Sequence, residues 1–397
     1  MPSRRAVLAG VAGGTVGALT GCVSTAGSSV KPGTDSNTDW PMFGADRMRS
    51  GYVPSAAVPR SAPGERFTAS LKGTPIGQPI VAGGTVLQST WYGIEAFDAA
   101  SGESLWRFRD EEPEDTAVQY QPPAVHDGVA YVGTESGLVA LDAGSGEVRW
   151  RVETDSRVSA PPVAGYDWNQ LYVGTIEGTL LDVALEGGGS DPPGTVQWTK
   201  SVYGEISRLV APNVAGVTAG TSGGEVFMVY DGRGLWRTKV PGGVTAMTAE
   251  RGNSLYVATF GGGVLKLRTA AHAGRVSWHA EEGPVAQGLL VRAAGGVHGA
   301  DGGGLTTLST DDGRERWTFG DAASSVPAAA GDTLYIGGED SILAYKLDGG
   351  TGVGGARIDP RRWQYTHDGG SVSGVSVADG AVFAAVGDDD QRILALE

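Results

Sequence analysis

Seven tryptophans, Trp106, Trp150, Trp198, Trp236, Trp278, Trp317 and Trp363, follow one another at intervals of 44, 48, 38, 42, 39 and 46 residues. Each closes a stretch of one kind, which is most complete from Gly128 to Trp150, GVAYVGTESGLVALDAGSGEVRW. This reads as a strand over Val129–Thr134, a turn at Ser136-Gly137, a strand over Leu138–Asp142, a turn at Gly144–Gly146, and a third strand arriving at Trp150. Leu138, Val139, Ala140 and Leu141 are all apolar, so the middle strand expects cover on both faces. Three short strands with two apolar faces are not stable alone in water. The unit therefore needs copies of itself on either side, and a period near 40 residues suits one four-stranded propeller blade per copy.

The copies share more than tryptophan. Ala96-Phe97-Asp98 leads through Gly102 to Trp106, and Ala140-Leu141-Asp142 leads through Gly146 to Trp150. Asp311-Asp312-Gly313 before Trp317 and Tyr230-Asp231-Gly232 before Trp236 are degraded versions of that turn. Ahead of the turns lie the kindred strands Leu171–Gly174, Leu255–Ala258 and Leu334–Gly337. The pattern A-x-D-x-x-x-G-x-x-x-W resembles the tryptophan-motif repeat of pyrroloquinoline-quinone (PQQ)-type β-propellers. Trp40-Pro41-Met42-Phe43-Gly44 with Gly51-Tyr52 resembles the segment that often precedes the first blade. The resemblance implies an all-β propeller over residues 40–397, each motif tryptophan packing between neighbouring blades.

The chain ends supply the blade count. After Trp363 come three strands, Ser371–Ala378, Ala381–Val386 and Arg392–Leu396, with no fourth. Before the first full blade, Glu65–Ala69 stands alone as an outer strand. Joining the two ends completes an eighth blade and removes an open sheet edge. Eight blades, the last closed by N- and C-terminal strands, is the expectation; seven is the alternative.

Ser3-Arg4-Arg5-Ala6-Val7-Leu8 resembles a twin-arginine export signal, in which Arg4 and Arg5 are the signature pair. The 14 residues from Ala6 to Leu19 are too few and too Gly-rich to span a bilayer. Leu19-Thr20-Gly21-Cys22 resembles a lipobox, which implies cleavage before Cys22 and lipidation of its thiol. Residues 1–21 are then the signal and 22–39 a Ser/Thr/Gly-rich tether with an r.m.s. span of roughly 20–25 Å. Cys22 is the sole cysteine, which excludes an intramolecular disulfide. The expected address is the outer face of the cytoplasmic membrane, reached by export of the folded protein.

Charge excludes one class of partner. Against 45 Asp and Glu stand 30 Lys and Arg, of which six are Lys, for a net charge of −15. Loss of Arg4 and Arg5 with the signal takes this to −17. Such a surface repels a phosphate backbone, so nucleic acid is not expected as a partner. It resembles the surfaces of proteins from salt-loving prokaryotes, archaea among them, which stay hydrated through carboxylates. Glycine, 65 of 397 residues, clusters between short apolar runs as turns demand.

No catalytic, cofactor or metal residue is assigned. The five histidines, at 126, 272, 279, 298 and 367, have no zinc-ligand spacing. Asp388-Asp389-Asp390 is read as a solvated turn, with a hard cation as the alternative. Gly261–Gly263 and Gly302–Gly304 are hairpin turns, not phosphate cradles. Three segments break the repeat: Asp110–Asp115, Glu186–Gly194 and Gly349–Arg362. Loops of this kind on a rigid ring are where binding concentrates. The first functional expectation is a monomeric, non-catalytic scaffold lipoprotein, similar in architecture to BamB-like lipoproteins whose propellers serve protein assembly. It engages a protein or glycan through loops on one face. The alternative is a PQQ-dependent alcohol or sugar dehydrogenase. Those enzymes typically add adjacent cysteines, a metal-ligating carboxylate set and a catalytic Asp, none of which is matched here.

Overall fold

The computed structural model describes residues 39–397, apart from 55–56, 111–117, 186–190, 213–215, 251–253, 321–324, 354–355 and 389. Eight four-stranded antiparallel sheets follow one another around a ring. Blade 2 contains the unit first read from the sequence, as strands Ala124–His126, Val129–Gly133, Gly137–Asp142 and Val148–Glu153. Leu138 to Leu141 are all buried, because the sheet is covered on both sides by its neighbours.

The eighth blade is the joint. Val372–Ala378, Ala381–Val386 and Arg392–Leu396 come from the C-terminus, and Glu65–Ser70 from the N-terminus adds the outer strand. Phe67 pairs with Ala395 and Thr68 with Leu394, antiparallel. The ring thus closes by hydrogen bonds between the chain's two ends, and Arg392–Leu396 is not left as a bare edge.

Seven of the eight seams between blades use one device. The ring of Trp106 lies against Gly146 of the next blade, where a Cβ would come within 2.7 Å of the indole. Trp150 meets Gly194, Trp198 meets Gly232, Trp236 meets Gly274, Trp278 meets Gly313, and Trp317 meets Gly349 in the same way. All six glycines have φ between 69° and 82°, the left-handed region that other residues enter at a cost. The motif aspartates set the turn that brings the glycine there. Asp142 Oδ1 accepts from the backbone N–H of Gly144 at 3.0 Å and of Ser145 at 2.9 Å, and Asp98 does the same for Ala100 and Ser101. So the glycine of each repeat seats the tryptophan of the repeat before it. At the joint the wedge is Phe67, packed on Gly102. Trp363 instead donates its Nε1–H to the Pro59 carbonyl at 2.9 Å, since the chain break removes the turn that would otherwise meet it.

Within blades, the wedge leans on an aromatic of the second strand. Tyr131–Trp150, Tyr172–Trp198, Tyr256–Trp278, His298–Trp317, Tyr335–Trp363 and Phe383–Phe67 all lie 5.6–6.2 Å apart and tilted by 40–55°. His298 is here a core residue: its ring bonds Thr307 Oγ1 at 2.7 Å, and burial pulls its pKa down to about 4, keeping it neutral.

Candidate functional site

Consecutive strands alternate in direction, so the ring has two faces. The turns after the first and third strands of each blade lie on one face. The middle turns and the blade-to-blade connections lie on the other. The segment Trp40–Val53 fills the channel toward the first face. Trp40 and Val81 of blade 1 exchange backbone bonds at 2.7 and 3.0 Å. The carbonyl of Pro41 then accepts from Val125 of blade 2, Arg47 from Ala211 of blade 4, Met48 from Ala249 of blade 5, Ser50 from Arg292 of blade 6, and Gly51 from Ala329 of blade 7. Tyr52–Val53 ends the run as a parallel fifth strand on blade 7. Two buried side chains lock this plug. Gln78 accepts from Gly44 N–H at 3.0 Å and donates to the carbonyls of Pro327 (3.0 Å) and Val375 (2.7 Å), joining blades 1, 7 and 8. Arg49 donates to the carbonyls of Leu209, Pro161 and Pro162 and to that of Phe43 in the plug itself.

What remains open is a blind funnel of about 340 Å³ on the second face. Phe43 of the plug is among its lining residues, and Ile76, Pro122, Pro161 and Val326 give apolar wall. The polar lining is Gln119, Gln121, Arg208, Thr245 and Gln287. These residues sit at or just before the innermost strands, where a proline recurs in four of the eight blades: Pro79 within its strand, and Pro123, Pro162 and Pro327 immediately before theirs. That proline recurrence was the available sequence signal for the funnel; Arg49, Gln78, Arg208 and Thr245 themselves carry no motif.

A metal-held PQQ needs oxygen ligands from carboxylates, a hard cation's usual partners. Among the described residues no Asp or Glu lines the funnel. Nor does any group of three His, Cys, Asp or Glu side chains among them stand ready to hold a metal. The donor set present, amides, one hydroxyl and one guanidinium, does not fit that cofactor arrangement.

The residues singled out from sequence fall elsewhere. Asp98, Gly102, Asp142, Gly146 and the seven motif tryptophans belong to the blade turns and seams, not to the funnel. Arg4, Arg5 and Cys22 lie outside the described residues. Asp388 accepts from the N–H and hydroxyl of Ser371 at 2.7 and 3.0 Å, and Asp390 bonds Arg392 at 2.8 Å, so both pin a turn; Asp389 lies outside the described residues. Gly261–Gly263 and Gly302–Gly304 are middle-strand turns, as expected.

Residues 111–115, 186–190 and 354–355 of the three insertions lie outside the described residues, and the described ends of the insertions do not share one face as expected. Asp110 ends blade 1 and opens the connection to blade 2, on the funnel face, held by Arg151 at 2.6 Å and Ser136 at 2.9 Å. Glu186–Gly194 and Gly349–Arg362 both join third to fourth strands, which places their ends on the plugged face. The latter carries a small hairpin, Thr351–Val353 with Ala356–Ile358. The antiparallel alternation decides this, and the repeat period alone does not report it. The funnel face instead carries three exposed aromatics, Trp91 (42%), Tyr203 (78%) and Phe260 (74%), on connections of blades 1, 3 and 5.

Fold and funnel together define a closed, plugged eight-bladed propeller of the PQQ-like class. The family model described as outer membrane protein assembly factor BamB matches residues 57–189, 92–230 and 188–397, and the chain belongs to that family. No curated protein matches the sequence significantly. Among solved structures, BamB from Moraxella catarrhalis is similar, with 18% identity and TM-score 0.64 over 85% of this chain and 98% of that one. The computationally designed Ika8 protein shares 16% identity, with TM-score 0.64 over 84% and 100%. Quinohemoprotein alcohol dehydrogenase from Comamonas testosteroni shares 11%, with TM-score 0.68 over 90% and 80%. At such identities the likeness is one of fold.

Proposed function

We propose that this protein is an exported, lipid-anchored scaffold that binds a protein or glycan partner on its funnel face and performs no chemistry of its own. The observation that carries the reading is the set of exposed aromatics there, Trp91, Tyr203 and Phe260. Large aromatics exposed on a rigid rim cost little entropy to engage and supply much of the energy at protein and glycan interfaces. Membership of a family described by outer membrane protein assembly agrees with a binding role. The dehydrogenase alternative draws on the shared fold with the quinohemoprotein enzyme, and the lack of a carboxylate among the funnel's described lining residues argues against it.

One experiment addresses both readings. A photo-crosslinking residue at position 203 or 260 should trap a partner in intact cells, while one at Asp231, on the plugged face, should not. Adducts from position 231 alone would overturn the choice of face. The same preparation, given PQQ and calcium at high salt, should reduce no dye with alcohols or aldoses. Turnover above the cofactor-only control would replace the scaffold reading with the enzymatic one.

A further inference from the structure

The funnel holds positive charge that the scaffold does not use up. Arg49 and Arg208 both place guanidinium groups in the channel of a chain whose net charge is −15. Arg49 is a structural pin: its donors are spent on four backbone carbonyls in the plug and blades 3 and 4. Arg208 is held on one side only. Its Nε donates to the carbonyls of Thr245 (2.7 Å) and Gly288 (3.2 Å), and Nη1 donates to that of Ser207 (2.6 Å). Nη2 has no hydrogen bond among the described residues and lies where a Cβ on Gly288, another lining residue, would approach to 3.2 Å.

The surroundings explain why an anion would be welcome. Burial pulls Arg208 down to about 10, opposed only by the charge of Glu205. Burial also pulls Arg49 down to about 9; Asp46 opposes that shift and the like charge of Arg208 adds to it. Neither guanidinium hydrogen-bonds a carboxylate among the described residues, so Asp46 and Glu205 offset their charge only through space. Thr245, beside Arg208 in the lining, keeps a buried hydroxyl without a partner, the kind of unsatisfied group that asks for an account.

We propose that the funnel is a carboxylate socket, in which Nη2 of Arg208 is the principal donor, Thr245 and Gln121 stand at its sides, and Phe43 is the apolar floor. A planar, singly charged group suits one guanidinium edge; a phosphate dianion would ask for more cationic donors than this lining has. A cavity of about 340 Å³ admits a small organic acid or the C-terminal end of a peptide. The inference goes beyond the partner reading above, since such a socket serves a scaffold or an enzyme alike and its failure leaves the aromatic rim untouched.

The test is calorimetric titration of the full chain, with thermal unfolding in parallel, at constant high chloride. The probes are acetyl-Gly-Phe with a free carboxylate, the same dipeptide as its amide, sodium succinate, and inorganic phosphate. The free acid or succinate should bind and raise Tm, and the amide should not. Binding of the acid alone assigns the socket to chain termini, and binding of succinate alone to free acids. Arg208→Gln should weaken the bound probe at least tenfold, and Thr245→Val several-fold while leaving the Arg208 contacts in place. The wild-type comparison of acid with amide needs no variant to fold. The proposal falls if neither carboxylate binds at millimolar concentration, if the amide or phosphate binds as well, or if Arg208→Gln binds the probe unchanged.

Discussion

Asp182 stands opposite the wedge Trp198, at the position that Ala96, Ala140, Ala344 and Ala395 occupy opposite theirs. Lys266 is the other charged residue at this position, and it escapes by bonding the Thr310 carbonyl at 2.8 Å. Asp182 has no such exit: it is 6% exposed and its Oδ1 is unpartnered. Burial raises its pKa to about 7; Trp198 opposes the shift and the charge of Asp231 adds to it. The folded state therefore binds this proton more tightly than the unfolded chain does. Its contribution is full below the unfolded value near 4 and is lost as pH rises toward 7. Asp182→Asn should accordingly stabilise the propeller at pH 7.5 by on the order of 2 kcal/mol and bring no gain at pH 4. Denaturant titrations of both proteins at the two pH values check this; an equal gain at both would mean the charge is not the cause. The motif residues were legible from sequence because turn and wedge recur. Asp182 was not, since one carboxylate in an acidic chain carries no sign of which are buried.

Among elements, the two N-terminal pieces do different work. Glu65–Ser70 supplies the hydrogen-bonding edge that closes blade 8. Trp40–Val53 makes no closure but ties the innermost strands of blades 1, 2, 4, 5, 6 and 7 to one another through a single run of backbone. Removing residues 1–53 should therefore leave a closed, monomeric ring that is weaker by on the order of 5 kcal/mol, from lost burial of Trp40, Met42 and Phe43 and from carbonyls that Arg49 no longer meets. Removing residues 1–70 should in addition bare the edge of Arg392–Leu396 and promote association. Light scattering and thermal unfolding of the two variants separate the effects. A monomeric 1–70 deletion that unfolds at the wild-type temperature would refute the closure argument. The closing strand was readable because three C-terminal strands lacked a fourth. The plug was readable only as a resemblance, because its backbone bonds go to six blades that are distant from one another in sequence.

For the whole molecule, the anchor proposal rests on Leu19-Thr20-Gly21-Cys22. No helix among the described residues is long and apolar enough to cross a membrane. Cys22→Ser should release the protein from membranes or leave it unprocessed, as fractionation and mass measurement of the N-terminus would report. Membrane attachment unchanged in that variant would remove the thiol from the account. The molecule also divides its features between faces: the plug and the exposed Tyr230 on one, the funnel with Trp91, Tyr203 and Phe260 on the other. That division follows from strand alternation, and it moves the proposed contact surface away from two of the three insertions.

The sequence by itself determined the all-β class, the repeat, the eight blades and the joint at which they close. Each of these is a local pattern repeated, or a local pattern left incomplete at an end. Tertiary structure alone decided that Gly146 seats Trp106 instead of serving its own blade, and that Phe67 is the eighth wedge. It also decided that Arg208, Thr245 and Gln121 converge on one funnel with Phe43. Their separation in the chain is the reason: the funnel takes one or two residues from each of several blades, and only ring closure brings those residues within reach of one another.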